Sequence, residues 1–256
     1  MTLVGIDTSL CLTSLVRGTT ITVLADATAW LGRVPDFVIR PTGGGGGAAV
    51  PLSAAEIAAL SGVVGRIAGY YNDSPLSAAS PVTGTFAQGV ADARAARAQL
   101  RALGFPDSCP VLIDLEHWQV VTPSYVTGIR GIEPSAIVYG SGQTCSVARA
   151  GGLRSWISSW QPQGNYQNEA AKALQGGNSM WQVAGNAFNG IADEDLADAA
   201  LVQTFWDGKA PASGGLRRGA DAAAFTSPAP VVGAGAVVLT VPPGTAVTVN
   251  GKAVSA

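Results

Sequence analysis

The stretch PVLIDLE, at Pro110–Glu116, has the pattern of a buried β-strand that ends in two carboxylates. A short aliphatic run behind a proline is typical of a strand covered on both faces, as in a parallel sheet. Side chains alternate along a strand, so Asp114 and Glu116 should lie on the same side, about 6.5–7 Å apart at Cα. The sequence therefore predicts a parallel strand whose carboxyl end carries a pair of acids.

Other short apolar runs along the chain, each bounded by Gly, Pro or Ser, show the same strand pattern. They are Leu3–Asp7, Asp36–Arg40, Arg66–Tyr71, Ala136–Gly140, Ser155–Ser159 and Ser179–Val183. Helix signals lie between several of these runs, so strands and helices are expected to alternate.

Three segments carry the clearest helix signals. Ser53 and Glu56 form the capping-box pattern that opens a helix ending at Leu60. The segment 86–103 keeps one apolar face and is followed by glycine and proline, which end a helix. The segment 195–205 is interpreted as a further helix, because acids in its first turn suit the helix dipole.

Alternation of strands and helices over residues 1–207 predicts an α/β fold with parallel strands. A (β/α)8 TIM-like barrel fits the length and the number of strands better than an open sheet. No phosphate loop and no G-x-G-x-x-G motif supports a nucleotide-binding alternative, and the glycine run Gly43–Gly47 is interpreted as a loop.

A Gly/Ala/Pro-rich linker at 208–230 and a small all-β tail at 231–256 follow the predicted barrel. The strands predicted in the tail are Val237–Val241, Ala246–Val249 and Lys252–Val254, with Asn250-Gly251 as a hairpin turn. So short a segment cannot bury a core alone. The tail is therefore expected to dock on the barrel, on a copy of itself or on another protein.

Composition excludes several classes of function. Only 12% of the residues are charged and the net charge is −2, so the surface is not one that attracts nucleic acid. The single histidine, His117, and three widely spaced cysteines do not suit a zinc, iron or dithiol site, and we expect no metal and no cofactor. No signal peptide is predicted, and prolines interrupt the charge-free stretch Ala222–Gly251, so no membrane span is predicted either.

In such a barrel, functional residues concentrate where the strands end at the carboxyl-terminal face. The candidates at these positions are Asp7, Arg40, Tyr70 or Tyr71, Asp114, Glu116, Tyr139, Trp160, Trp181 and Gln182. Two carboxylates beside aromatic side chains suit glycoside hydrolysis, in which one acid protonates the leaving oxygen and the other stabilises the sugar cation. The alternative is an acidic strand end neutralised by Arg40 and backbone amides. Two interpretations of Asp195 are equally good: an acid of the site, or an acid in the first turn of a helix.

A series of motifs in a fixed order adds a family resemblance. Its members include GIDTS at Gly5–Ser9, FVIRP at Phe37–Pro41, GRIAGYYND at Gly65–Asp73, VLIDLE at Val111–Glu116 and MWQVAGNAFNGIADEDLAD at Met180–Asp198. From Gly5 to about Phe205 the chain resembles the glycoside-hydrolase-like TIM-barrel domains of bacteria and phages. Those domains are related to the family-25 glycoside hydrolases, the lysozyme-like muramidases.

The resemblance implies a hydrolase of peptidoglycan glycan chains that needs no metal. Glu116 would be the general acid/base, and Asp114 would stabilise the developing cation or position the substrate. Asp7 and Asp195 would line the floor of the site and keep Glu116 protonated by like-charge repulsion. The other strand-end residues, with Arg40, would bind the glycan. Tyr70-Tyr71-Asn72 stands where the muramidases usually have a Tyr-His pair.

Two functions from different classes follow from these observations. The first is a lysozyme-like glycosidase that is phage-encoded, either an endolysin in the host cytoplasm before lysis or a hydrolase on the virion. The second is a non-catalytic decoration or sugar-binding module of a phage particle, attached through 231–256 to phage structural proteins or to copies of itself. The strand-end acids favour the first, and the weakly charged surface and the tail favour the second. A metabolic barrel enzyme is a third alternative, but the sequence has no phosphate or metal motif for it.

Overall fold

The computed structural model describes residues 2–9, 23–43, 50–72, 82–115, 120–158, 176–186, 192–209, 247–249 and 252–254. Two compact units divide the chain, Met1–Ser213 and Gly214–Ala256. Several of the sequence predictions lie outside the described residues: Glu116, Trp160, most of the glycine run Gly43–Gly47, most of the linker, the strand at Val237–Val241 and the turn Asn250-Gly251.

The first unit contains a closed barrel of eight strands. In chain order the strands of this unit are β1 (Thr2–Asp7), β2 (Phe37–Pro41), β3 (Arg66–Tyr71), β4 (Val82–Thr83), β5 (Leu112–Asp114), β6 (Val120–Val121), β7 (Ile137–Gly140), β8 (Arg154–Ser158), β9 (Met180–Asn186) and β10 (Ala192–Asp198). The order around the barrel is β1-β2-β3-β5-β7-β8-β9-β10, and β4 pairs with β6 outside it. Neighbours from β1 to β9 are parallel, and β10 closes the barrel antiparallel to β9 and β1.

Helices alternate with these strands along the chain. They are α1 (Val23–Leu31), α2 (Ala54–Leu60), α3 (Phe86–Ala102), α4 (Pro123–Ile132), α5 (Gly142–Ala150) and α6 (Ala199–Val202). Ser53 caps α2 by accepting the amide of Glu56, as the sequence predicts. The mixed α/β class and the TIM-like barrel are thus confirmed, and the strand boundaries agree with the predicted runs to within a few residues.

The predicted helix over 195–205 is wrong in its first half. Residues Ala192–Asp198 form strand β10, and the helix that follows, α6, spans only Ala199–Val202. The local sequence is rich in residues that favour a helix, but its backbone groups hydrogen-bond to neighbouring strands instead. As a strand, this segment hydrogen-bonds to both β1 and β9 and covers two edges that would otherwise be open.

Apolar side chains pack in two layers, one on each face of the barrel wall. The outer layer lies between strands and helices and includes Ile6, Val38 and Ile67. The inner layer fills the barrel and is closed at the end where β1 begins by Leu201, Val202 and Phe205, which follow β10. The Phe205 ring meets Phe37 edge-on at 5.8 Å. Since apolar residues fill this end, the polar residues inside the barrel are confined to the carboxyl-terminal end of the parallel strands.

In the second unit, β11 (Val247–Val249) and β12 (Lys252–Val254) form an antiparallel pair. Val247 pairs with Val254 and Val249 with Lys252. Both strands match the sequence prediction, and the register is that of a two-residue hairpin turn. None of the helices that the model describes is long and apolar enough to cross a membrane.

Candidate active site

The alternation of strand residues decides which side chains point into the barrel. Ile39, Tyr70, Leu112, Tyr139 and Trp156 belong to the inner layer. By the same alternation, Asp7, Asp114 and Gln182 take inward positions at the carboxyl ends of their strands. Because β10 runs antiparallel, Asp193 lies directly opposite Asp7 at the same end. A cluster of acids therefore gathers at the mouth of the barrel.

Gln182 is the centre of the hydrogen-bond network in this mouth. Its amide nitrogen donates to Asp7 Oδ2 at 2.9 Å and to Asp193 Oδ2 at 3.0 Å. Its amide oxygen accepts the hydroxyl of Tyr139 at 2.7 Å. Three strands, β1, β9 and β10, thus contribute side chains that are joined through one amide, and β7 adds the phenol.

Asp195 lies one inward position deeper and is fully buried. Its Oδ1 accepts the indole N–H of Trp156 at 2.9 Å, and no donor among the described residues reaches its Oδ2. Burial raises the pKa of Asp195 well above its usual value, and the negative charge of Asp7, a hydrogen bond with Asp7 and the charge of Asp193 act in the same direction. The carboxyl of Asp195 therefore holds its proton to higher pH than an exposed aspartate does.

Asp114 occupies the end of β5 on the same side of the barrel. It lies beside Tyr139 in the strand register and accepts a hydrogen bond from the Asn72 amide at 3.3 Å. Tyr139 in turn packs on Trp156, with 4.4 Å between ring centroids. The structure thus brings Asp7, Asp114 and Asp195 to one end of the barrel. The strand-end pattern predicts this position for Asp7 and Asp114, and for Asp195 only the family resemblance does.

Arg40 is placed differently from the expectation that it binds substrate in the mouth. It is fully buried on the outer face of β2 and forms an ion pair with Glu56 of α2, with Nε and Oε1 2.8 Å apart. The same guanidinium donates to the carbonyl of Thr8 and, at 2.8 Å, to that of Val50. These contacts attach α2 and two loops to the barrel wall. None of them lies in the mouth of the barrel, so a role for Arg40 in substrate binding stays a prediction.

Tyr71 and Trp181 also face outward. Tyr71 belongs to the layer between strands and helices, while its neighbour Tyr70 belongs to the inner layer. Trp181 packs with Val183 and Leu196 outside the barrel wall. Of each predicted pair of neighbours, only Tyr70 and Gln182 point inward. Any glycan contact by Tyr71 or Trp181 therefore stays a prediction.

Sequence reasoning missed three polar residues of the site. Asn72 follows the third strand, Trp156 lies within the predicted strand Ser155–Ser159, and Asp193 lies in the segment next to the misassigned helix. The alternation of Asp193, Asp195 and Ala197 identifies one inward face once 192–198 is interpreted as a strand. Trp156 follows from the inward position that it shares with Tyr139 on the neighbouring strand.

Glu116 follows the described part of β5 by two residues, and its side chain lies outside the described residues. The segments on either side of it are both fixed. Leu115 donates its amide to the carbonyl of Tyr139 at 3.1 Å, and Val120 pairs with Val82 in the β4–β6 sheet.

The chemistry available to the described residues is that of carboxyl groups. No group of three metal-binding side chains occurs among them. Cys109 and Cys145 are buried, and burial raises the pKa of each thiol to about 12, so neither is a nucleophile at neutral pH. Acids that differ in protonation, set among aromatic rings, can donate protons and stabilise positive charge.

No protein-family model matches the chain, and no curated protein sequence matches it significantly. The fold is similar to that of an uncharacterized B. stearothermophilus protein solved at 1.07 Å, with a TM-score of 0.61 and 18% identity over 80% of this chain and 100% of the other. More distant similarity links it to the modular autolysin LytC from Streptococcus pneumoniae in complex with synthetic peptidoglycan ligand (TM-score 0.47, 14% identity, 76% of this chain and 46% of that one). The catalytic domain of endolysin ply40 from bacteriophage P40 of Listeria monocytogenes gives a TM-score of 0.46 with 11% identity, over 82% of this chain and 98% of that one. The first of these similarities shows a shared barrel fold.

Proposed function

We propose that this protein is a lysozyme-like glycosidase that cleaves the glycan chains of bacterial peptidoglycan. The observation that supports the proposal most strongly is the acid cluster. Asp7, Asp114, Asp193 and Asp195 meet at one end of a barrel whose other end is closed by apolar side chains. Active sites of TIM-like barrels lie at this end, and glycoside hydrolysis needs acids of two kinds, one protonated and one ionised.

Glu116 and Asp114 carry the reaction in this proposal. They are two residues apart in the sequence, and the alternation of side chains along a strand predicts the same side for both. Glu116 gives its proton to the glycosidic oxygen as the bond to the anomeric carbon breaks, and Asp114 stabilises the resulting sugar cation. Water then adds to the anomeric carbon and returns a proton to Glu116, which restores the starting state.

The remaining acids set the charge of the site. Burial disfavours the ionised form of Asp195 at the floor and raises its pKa, and Asp7 accepts a hydrogen bond from Gln182. Negative charge at the mouth favours a cation over a neutral sugar, which lowers the energy of the transition state relative to the bound substrate. Tyr70 and Tyr139 belong to the buried inner layer, and Trp160 remains the predicted stacking partner of the glycan.

The sequence supports a phage setting for this activity, as an endolysin or as a hydrolase carried on a virion. Peptidoglycan is then the partner of the barrel. Phage structural proteins, or further copies of the chain, are the proposed partners of 231–256.

Wall clearing, the loss of turbidity of a peptidoglycan suspension, tests the proposal. Purified peptidoglycan suspensions should lose turbidity with the wild-type protein, and Glu116→Gln should lower the rate by at least ~100-fold, the scale of general acid catalysis. Asp114→Asn should also lose activity, while both variants melt like the wild type. Asp107→Asn is the matched control, because Asp107 is an exposed carboxylate paired with Arg101. Clearing by Glu116→Gln at the wild-type rate would contradict the assignment.

The second candidate is a non-catalytic decoration or sugar-binding module. Two observations favour it. The amide of Gln182 is hydrogen-bonded to side chains of the protein itself, and the second unit contains a short antiparallel strand pair of a kind that is marginally stable by itself. Such a module would sediment with peptidoglycan, or with phage particles, and release no soluble fragments. Cleavage with multiple turnovers would eliminate this candidate.

A further inference from the structure

We propose that Gln182, oriented by Tyr139, is the positioning residue of this site: it fixes Asp7 and Asp193 as a pair of acceptors at the mouth and leaves glycan contact to other side chains. The inference rests on the proposed function only where it assigns Asp7 and Asp193 a part in the reaction. The positioning itself is a property of the fold and can be measured without any substrate.

The donor and acceptor ends of the Gln182 amide determine how this side chain is oriented. Carboxylates only accept hydrogen bonds, so the end of Gln182 that meets Asp7 and Asp193 must be the nitrogen, with its two hydrogens. Those contacts measure 2.9 Å and 3.0 Å and occupy both hydrogens. The oxygen end then needs a donor, and the Tyr139 hydroxyl supplies it at 2.7 Å. Reversing the amide would place oxygen against two carboxylates and nitrogen against a phenol.

Tyr139 is itself held in place. It is almost fully buried, its ring packs on Trp156 with a tilt of 50°, and Trp156 donates to Asp195. Strand β9 thus donates to acids of β1 and β10 through Gln182, β8 donates to an acid of β10 through Trp156, and β7 orients Gln182 through Tyr139. A hydroxyl that is fixed in this way locks the amide of Gln182 in one orientation.

The pairing of Asp7 with Asp193 explains why such a residue is needed. These two carboxylates stand directly opposite each other on antiparallel neighbours. Like charges in that relation repel and destabilise the pair. An amide nitrogen between them offsets the repulsion without adding a cation, so the mouth keeps its negative charge for the reaction and the two carboxylates keep a fixed geometry.

Gln182→Glu is the decisive variant because it keeps the shape and the acceptor for Tyr139 but replaces the donor with a further carboxylate. The carboxyl-carbon NMR signals of Asp7 and Asp193 should titrate at higher pH than in the wild type. Wall clearing should fall roughly 10- to 100-fold, the scale expected when reacting groups are misplaced, and its pH profile should move to higher pH. The double variant Gln182→Glu, Asp193→Asn restores the number of carboxylates and should recover most of the activity.

Tyr139→Phe is a second variant, and it stays informative if Gln182→Glu does not fold. It removes the lock on the amide and should shift the same NMR signals in the same direction by less. Its matched control is Tyr125→Phe, since Tyr125 also donates from a buried phenol to an acid, Asp92, at 2.7 Å, but between α4 and α3. Tyr125→Phe should lower the melting temperature and leave the carboxyl titration of Asp7 and Asp193 unchanged.

Unchanged titration of Asp7 and Asp193 in folded Gln182→Glu would overturn the inference. So would an equal shift in Tyr139→Phe and Tyr125→Phe. Wild-type protein that clears no wall contradicts the proposed function instead, and the NMR comparison then decides the positioning inference alone.

Discussion

Two fully buried ionisable side chains, Arg40 and Asp195, show how their surroundings set their charge. Arg40 meets the carboxylate of Glu56 and two backbone carbonyls, all of which favour a cation. Asp195 meets one indole N–H and a second acid, and burial without a cation favours its neutral form. Arg40 therefore belongs to a structural ion pair in the barrel wall. Asp195 is the acid at the floor of the site, and its surroundings favour the neutral form.

Asp195→Asn should preserve the floor of the site. An asparagine oxygen can still accept from Trp156, and its nitrogen is a donor, as the hydroxyl of a protonated acid is. The folded carboxyl has a raised pKa, so above the pKa of the unfolded group, about 3.9, the folded protein holds the extra proton. Stability of the wild type therefore falls as pH rises from about 4 toward the folded pKa.

In urea unfolding, the free energy of unfolding of Asp195→Asn relative to the wild type should increase from pH 4 to pH 7. A difference that is constant across this range would show that Asp195 is ionised in the folded protein and would contradict a neutral acid at the floor.

Arg40→Met should destabilise the protein by about 3–5 kcal/mol, because it removes the guanidinium that neutralises the buried carboxylate of Glu56. Adding Glu56→Leu should recover most of that loss, because an apolar pair needs no neutralisation. Denaturant unfolding of the two variants measures both effects. A variant Arg40→Met that melts like the wild type but no longer binds peptidoglycan would restore the substrate-binding role that the sequence suggests.

Periodicity identifies the parallel barrel strands and the helices α2 and α3, but it does not identify α1, α4 and α5, and it assigns β10 wrongly. The parallel strands have short apolar runs because both faces are covered, and this pattern is visible locally. Strand β10 alternates acids with apolar residues, and its conformation is decided by the edges of β1 and β9, which lie far away in sequence. Helix propensity depends on nearby residues and carries no information about those edges. The sequence alone therefore predicts a helix in this segment.

The packing of α3 on α4 gives a prediction at the same scale. A Cβ on Gly128 of α4 would lie 2.3 Å from the carbonyl oxygen of Phe86, whereas a Cβ on Gly131 of the same helix meets nothing within 4 Å. Gly131→Ala should therefore stabilise the protein by about 0.5–1 kcal/mol through helix propensity. Gly128→Ala gains the same propensity but must move α3, and should be destabilising by about 1–3 kcal/mol.

Thermal unfolding of the two glycine variants compares the effects directly. Equal and positive changes in melting temperature would show that α3 and α4 are not in close contact at Gly128.

For the whole molecule, the sequence predicts the barrel and the end at which its acids meet, but not the direction of every side chain. Strand number and alternation are carried by the local pattern, which predicts Asp7 and Asp114 at the mouth, and the structure places them there. Arg40, Tyr71 and Trp181 are expected at the mouth because they end strands, but the face of a strand depends on register, which the whole barrel sets. The partnership of Gln182 with Asp193 depends on the closure by β10.

Deleting residues 229–256 tests the domain organisation. The barrel buries its own core within Met1–Ser213, so the shortened protein should remain folded with an unchanged melting temperature. Light scattering should show that self-association, or attachment to a particle, is lost. If the deletion unfolds the barrel, the tail is part of its core and the attachment role is contradicted.

The count of new reducing ends released from purified peptidoglycan tests the central claim most directly, because only cleavage of a glycosidic bond creates them. Wild-type protein should release reducing ends with many turnovers at neutral pH. Glu116→Gln should release them at least ~100-fold more slowly, with an unchanged melting temperature. Wild-type protein that releases none from the walls of several bacteria, or a Glu116→Gln variant as active as the wild type, would contradict the claim that this barrel is a glycosidase acting through its mouth.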